Sequence, residues 1–334
     1  MSPFFSIIIA AYNVENYIEE AVNSIISQTF KDWELIIIDD ASTDGTINKI
    51  EKFTNCGKIK LIKSVTNSGG CFVPREIGAK ASRGGYIVHL DGDDVLKDDH
   101  LQKLYENIVN EASDLVIPEM WRFEMNIKNA YKLLPKNNVD TSSCWLGLNL
   151  VKFTFPKWEI PMAGYAVRKE IFLKSIEEVK SITTECHLSD ELQSRILLYL
   201  SGKVTFINSP YYYRMNPHSI TTNKYGEALR LNIVNKGLVD FAYKYFGKDS
   251  LEFERSKLNF YFFLLSLYQT VGSRKLNKKQ KDDIEKLLKT LRAEIDFQYY
   301  KDKISPHYFY SLKLPIFLGK PFFRTIQCLK RFYK

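Results

Sequence analysis

Residues 6–46 read SIIIAAYNVENYIEEAVNSIISQTFKDWELIIIDDASTDGT. SIIIAA (6–11) is an unbroken apolar run, as a strand covered on both faces must be. Ile18, Ala21, Val22, Ile25 and Ile26 then recur at helical spacing. ELIIID (34–39) repeats the apolar run, and ASTDG closes it with turn residues. A strand, an amphipathic helix and a second buried strand predict a right-handed βαβ unit and a parallel sheet.

The same alternation continues outward. A helix is expected from about residue 46 to 53, then strand IKLIK (59–63), a glycine-containing loop and a helix near 75–82. YIVHLD (86–91) is a fourth strand, followed by a helix near 98–112 and a fifth strand, DLVIP (114–118). From 119 to about 160 the periodicity weakens, and Trp121, Trp145 and Trp158 appear. They could stack on sugars or fill core. GYAVRKEIF, SDELQSRILLYL, VTFIN and YYYR complete the domain, and from about 224 the pattern is helical and basic. The expected fold is α/β, a mostly parallel sheet with helices on both faces over residues 1–222. Its halves are 1–118 and 119–222, and a helical region follows over 223–334.

Of the 334 residues, 45% are hydrophobic and 26% charged, which excludes a disordered chain or a collagen-like repeat. Charge is uneven. Residues 223–334 hold 23 Lys and Arg against 11 Asp and Glu, whereas the first 222 hold 24 against 28. The acidic part is expected to carry chemistry and the basic part to face something negative. The five cysteines are odd in number and form no C-x-x-C pair, so neither a disulfide framework nor a zinc site is expected. The opening residues MSPFFSIIIAAYN are not expected to act as a secretory leader, and no apolar stretch reaches the roughly 18–20 residues of a bilayer span. These features point to the cytoplasm.

Ligands of parallel α/β sheets bind at the carboxyl ends of the strands. Polar clusters stand there: Ala11, Tyr12 and Asn13 after the first strand, Asp39 and Asp40 after the second, and Asp91 to Asp94 after the fourth. In LDGDD (90–94), carboxylates two residues apart on a turn can reach one hard cation, Mg²⁺ or Mn²⁺, from one side. The plainer alternative is a polar turn with a helix cap. Asp39 and Asp40 could accept hydrogen bonds from a nucleobase or ribose, whereas Ser42 to Thr46 read as turn and cap.

Together with NSGGCFVPREIGAKASRGGYIVHLDGDD (67–94), these motifs resemble the family 2 glycosyltransferases of the GT-A fold, in the bacterial surface-polysaccharide group. The resemblance covers about residues 4–118 and, more loosely, 160–222. It implies that Ala11, Tyr12, Glu15, Asp40 and Asp39 hold the nucleotide of a nucleotide-sugar, with Asn67 in the adjoining loop. It implies that Asp91 and Asp93 bind Mn²⁺ or Mg²⁺ under the diphosphate, and that Arg75 faces the donor. A cation in a first helical turn opposes the helix dipole, which itself favours a functional reading of Arg75. The family's acidic pair maps to LSDELQS, with Asp190 as general base and Glu191 as the neighbouring alternative; Ser189 stands where Glu is usual. In YYYRMNPHSITTN (211–223), Arg214 is the expected phosphate contact and His218 the third metal ligand.

What the resemblance implies is an inverting transfer of sugar, from a UDP-sugar by family frequency, to a saccharide hydroxyl. Two other classes remain. A sugar nucleotidyltransferase would also use paired aspartates, but it carries a glycine-rich phosphate loop that SIIIAAYNVEN lacks. A nucleic-acid-binding protein would use the basic half, yet no nucleic-acid motif appears there, and none is expected as a partner. Residues 303–334 carry seven Lys and Arg and no Asp or Glu, interleaved with aromatic and aliphatic residues. That mixture suits an anionic membrane surface, which would place the protein on the inner face of the cell membrane and make a lipid-linked acceptor accessible. Packing of this tail on the catalytic domain is the alternative.

Overall fold

Both faces of the first apolar run are covered: Ile7, Ile8 and Ile9 of β1 (Phe5–Ala11) are fully buried. The structure is a computed structural model that describes residues 2–136, 138–155, 160–184 and 190–216, the helical backbone of 224–270 with most side chains of 235–261, and a few positions between 286 and 293. After β1 come α1 (Ile18–Ile26), β2 (Trp33–Asp39), α2 (Thr46–Glu51), β3 (Ile59–Lys63), α3 (Phe72–Ala81) and β4 (Tyr86–Asp91). These strands pair in parallel in the order β3-β2-β1-β4. Their register puts Ala11 beside Asp39 and Ala10 beside Asp91, so three strands deliver their polar ends to one rim. α3 lies directly on the sheet because Gly78 has no side chain. A Cβ there would come within 2.6 Å of Ile8 Cγ2 and 2.8 Å of Ile38 Cδ1.

The second half is mixed. It comprises β5 (Val95–Leu96), α4 (His100–Glu111), β6 (Leu115–Phe123), β7 (Tyr131–Leu134), α5 (Gly147–Thr154), β8 (Ala166–Arg168), α6 (Lys169–Ile182), α7 (Asp190–Leu200) and β9 (Val204–Arg214). β8 inserts antiparallel between β4 and β6, so the expected fifth strand does not lie against the fourth. β6 pairs in parallel with β9, and β5 and β7 add antiparallel at β9 and β6. VTFIN and YYYR prove to be parts of one strand, β9. α8 (Lys224–Phe246) and α9 (Leu251–Thr270) follow. The chain divides into two compact units, residues 1–241 and 242–334. Trp158, His218 and the basic tail 303–334 lie outside the described residues. No helix among the described residues is long and apolar enough to cross a membrane.

His100, at the start of α4, ties the two halves together. It is fully buried; its Nε2 lies 2.8 Å from the Gly164 carbonyl and its Nδ1 3.1 Å from Ser209 Oγ. A carbonyl only accepts, so Nε2 donates and the neutral ring's Nδ1 accepts from the serine. Burial lowers its pKa to about 4. The unfolded chain therefore binds this proton more tightly, and stability falls as pH drops from about 6.5 toward that value, by on the order of 3 kcal/mol. Denaturant titrations at pH 7.5 and 4.5 should show a smaller difference for His100→Gln than for the unaltered protein. An equal difference would remove His100 as the source.

Candidate active site

Two non-glycine residues, Asn13 (φ 52°) and Ala41 (φ 61°), adopt left-handed backbone just after β1 and β2. Such conformations are uncommon, alanine having no polar side chain to compensate, and they gather at sites. The turns they make are locked together. Asn13 Oδ1 accepts from Thr43 N (2.8 Å), Thr46 Oγ1 accepts from Val14 N (2.9 Å), and Glu15 Oε2 accepts from Gly45 N (2.7 Å). Glu15 thus braces the second turn, and Tyr12 is left 46% exposed on the rim beside buried Ala11. Asp40 N donates to the Ala11 carbonyl at 2.8 Å.

Asp39 and Asp40 are buried. Asp39 Oδ2 accepts from Ser42 N (3.1 Å), and Asp40 Oδ2 accepts from Ser68 N (2.9 Å) and Ser68 Oγ (2.8 Å). Their Oδ1 atoms are buried with no hydrogen-bond partner among the described residues. A buried acceptor left unmade costs about 1–3 kcal/mol, so these two oxygens are suited to N–H or O–H groups of a ligand. Asn67 donates to the Asp40 carbonyl (3.2 Å) and accepts from Gly69 N (2.8 Å), which ties its loop to the end of β2.

Asp91, Arg75 and Asp190 come together from three elements. Arg75 Nη2 lies 2.8 Å from Asp91 Oδ1 at the end of β4, and Nη1 lies 3.9 Å from Asp190 Oδ1 at the start of α7. Burial opposes the charge of Arg75, but the carboxylates of Asp91 and Asp190 outweigh it and hold its proton more tightly than usual. Cys71 Sγ sits 3.0 Å from Asp190 Oδ1. Burial, partly opposed by Arg75, pushes the thiol well above its ordinary value, so it stays a neutral donor. Glu191 turns away, its Oε1 accepting from buried Arg195 at 2.9 Å. Behind Arg75, His89 Nδ1 meets Tyr165 OH at 2.8 Å, and burial, with Arg75, keeps His89 neutral.

Burial and the charge of Asp91 raise the pKa of Asp93. Asp94, fully buried, is raised well above the ordinary range by burial and by Asp93 and Asp91. Negative charge crowded this way suits a hard divalent cation, and the all-oxygen donor set of Asp91 and Asp93 fits Mg²⁺ or Mn²⁺. Among the described residues no cluster of three or more His, Cys, Asp or Glu side chains is placed to hold a metal. Arg214 is buried. Its Nε donates to the Asp93 carbonyl (2.8 Å), its Nη2 pairs with Glu20, and its guanidinium lies over Phe123 (4.5 Å) and Tyr17 (5.1 Å). Trp121 Nε1 donates to Glu119 (2.8 Å), and the Trp145 ring packs on Phe153 (5.4 Å). From sequence, no individual role is expected for Cys71, His89, Tyr165 or Tyr211, and Asp94 stands out only as the last acid of the strand-end cluster 91–94.

Residues 6–164 match the glycosyl transferase family 2 model. Glycosyltransferase GlyG of Streptococcus pneumoniae serotype 4 is 24% identical over 241 residues, 70% of this chain and 78% of that protein. Poly(ribitol-phosphate) beta-N-acetylglucosaminyltransferase TarS of Staphylococcus aureus is 35% identical over 118 residues, 35% of this chain but only 21% of TarS. The crystal structure of S. aureus TarS 1-349 in complex with UDP-GlcNAc has the same fold, with a TM-score of 0.60 at 20% identity over 89% of this chain and 82% of that one. The glycosyl transferase family 2 match thus spans residues 6–164, and the chain shares the GT-A fold of the TarS structure.

Proposed function

We propose that the chain is an inverting glycosyltransferase that moves a sugar from a UDP-sugar to a saccharide hydroxyl in bacterial surface-polysaccharide synthesis. The observation that carries this reading is the meeting of Asp91, Arg75 and Asp190 at the strand-end rim. Asp39 and Asp40 offer buried acceptors for the nucleoside, with Ala11 and Tyr12 at the end of the neighbouring strand β1. A divalent cation held by Asp91 and Asp93, with His218 as a third ligand, would neutralise the departing diphosphate. Arg75 adds a planar cation for the same developing charge. Asp190 takes the proton of the acceptor hydroxyl as the sugar carbon is attacked from the opposite side, and a single displacement inverts the anomeric centre.

The relatives' names support a cell-surface acceptor, and the TarS complex makes UDP-GlcNAc the first donor to try. A panel of nucleotide sugars with Mn²⁺, read by released nucleotide, should single out one UDP-sugar, and EDTA should stop the release. Undiminished release in EDTA would overturn the metal reading, and no release from any donor would overturn the transferase reading. Peripheral attachment to an anionic membrane through residues 303–334 belongs to the same proposal. Co-sedimentation with anionic liposomes should be lost when the chain ends near Asp302, and equal binding by both forms removes it.

A further inference from the structure

The last residues of β9 and the two that follow engage the acidic turn at every one of its aspartates. Tyr211 is fully buried, and its hydroxyl lies 2.5 Å from Asp94 Oδ2 while accepting from the Asp91 backbone N–H at 3.3 Å. Asp94 Oδ1 accepts from the Arg214 backbone N–H at 2.8 Å. The Arg214 side chain donates to the Asp93 carbonyl and reaches across to Glu20 on α1, and Asn216 Nδ2 donates to Asp93 Oδ2 at 3.2 Å. The Tyr211 ring is fixed from behind by Gly164, where an added Cβ would stand 2.4 Å from Tyr211 Cδ2. Gly164 itself is held by His89 and His100 through its N–H and carbonyl.

We propose that this strand end is a brace that sets the position of the Asp91 and Asp93 carboxylates for the cation, with Tyr211, Asp94 and Arg214 as positioning residues. Asp94 points at Tyr211 and Arg214 instead of the rim, so it serves as the anchor by which β9 grips the turn. Arg214, already occupied by a carbonyl, a carboxylate and two aromatic faces, acts through Asp93 rather than on a phosphate. The inference rests on the reading of Asp91 and Asp93 as the cation's carboxylates.

The test is calorimetric titration of UDP into the full chain at limiting and at saturating Mn²⁺, with melting temperature recorded alongside. Tyr211→Phe keeps the ring and removes the hydroxyl; Arg214→Lys keeps the charge and loses the fork. Loss of a hydrogen bond behind a metal ligand costs about 10–100-fold in metal affinity. Each variant should therefore bind UDP about 10–100-fold more weakly at limiting Mn²⁺ and recover when Mn²⁺ is raised. Tyr212→Phe, on the same strand, should bind as the unaltered protein does. Undiminished binding by Tyr211→Phe and Arg214→Lys overturns the brace, and so does a loss that Mn²⁺ does not restore, which would mark a general loss of structure. Should Tyr211→Phe fail to fold, Arg214→Lys decides alone. Unaltered protein that binds UDP without regard to Mn²⁺ overturns the cation reading, and the brace with it.

Discussion

Asp190→Asn should lower turnover by about 10²–10⁴-fold while UDP affinity stays within a few-fold of the unaltered protein. The exchange keeps size and hydrogen-bonding shape but removes the capacity to take a proton. Asp190 opens α7, where the helix dipole favours the carboxylate, and it faces Arg75 and the Cys71 thiol. Glu191→Gln should be close to normal in turnover, because Glu191 serves Arg195, and its cost should appear in melting temperature instead. Single-turnover kinetics on both variants separates proton transfer from donor binding. An active Asp190→Asn beside an inactive Glu191→Gln would move the base one residue along.

Asp93→Ala should abolish transfer, with any residual rate indifferent to added Mn²⁺. Asp91→Ala should do the same and also release Arg75 from its closest carboxylate. The stability of the ligand-free protein should move the other way. The folded state raises the pKa of Asp93, so the charged carboxylate is disfavoured there, and stability is lost as pH rises through that pKa. Asp93→Asn retains an oxygen that can accept from Asn216 and removes the repulsion from Asp91. Its melting temperature should exceed the parent's at pH 7.5, and the gain should shrink toward pH 4. A lower melting temperature at neutral pH would mean that the Asn216 bond outweighs the repulsion.

The parallel part of the sheet was legible because burial on both faces leaves unbroken apolar runs, and SIIIAA, ELIIID and YIVHLD all have them. β8 was not. It is three residues long, Ala166 to Arg168, and three residues carry no period. The continuity of β9 from VTFIN into YYYR was hidden because Asn208, Ser209 and Pro210 interrupt its pattern, and its pairing with β6 shifts register at the same place. At the site, carboxylates at strand ends stood out by the rule that ligands bind there. Their buried partners did not, since the hydroxyls of Tyr165 and Tyr211 look like any core tyrosine in a sequence. Arg214 showed its charge but not its neighbours: Glu20 lies 194 residues away along the chain.

The dependence of the acidic turn on β9 bears on how far the polypeptide can be shortened. The family match ends at residue 164, yet every aspartate of the turn leans on residues between Tyr211 and Asn216. A truncation after the matched region would keep the four parallel strands and all of DGDD, but it would strip the grip on Asp91, Asp93 and Asp94 and remove Asp190. The smallest autonomous piece able to present these carboxylates in order must therefore extend past Asn216. In crosses between related chains, the segment from 86 to 94 and the end of β9 should be inherited from one parent as a pair.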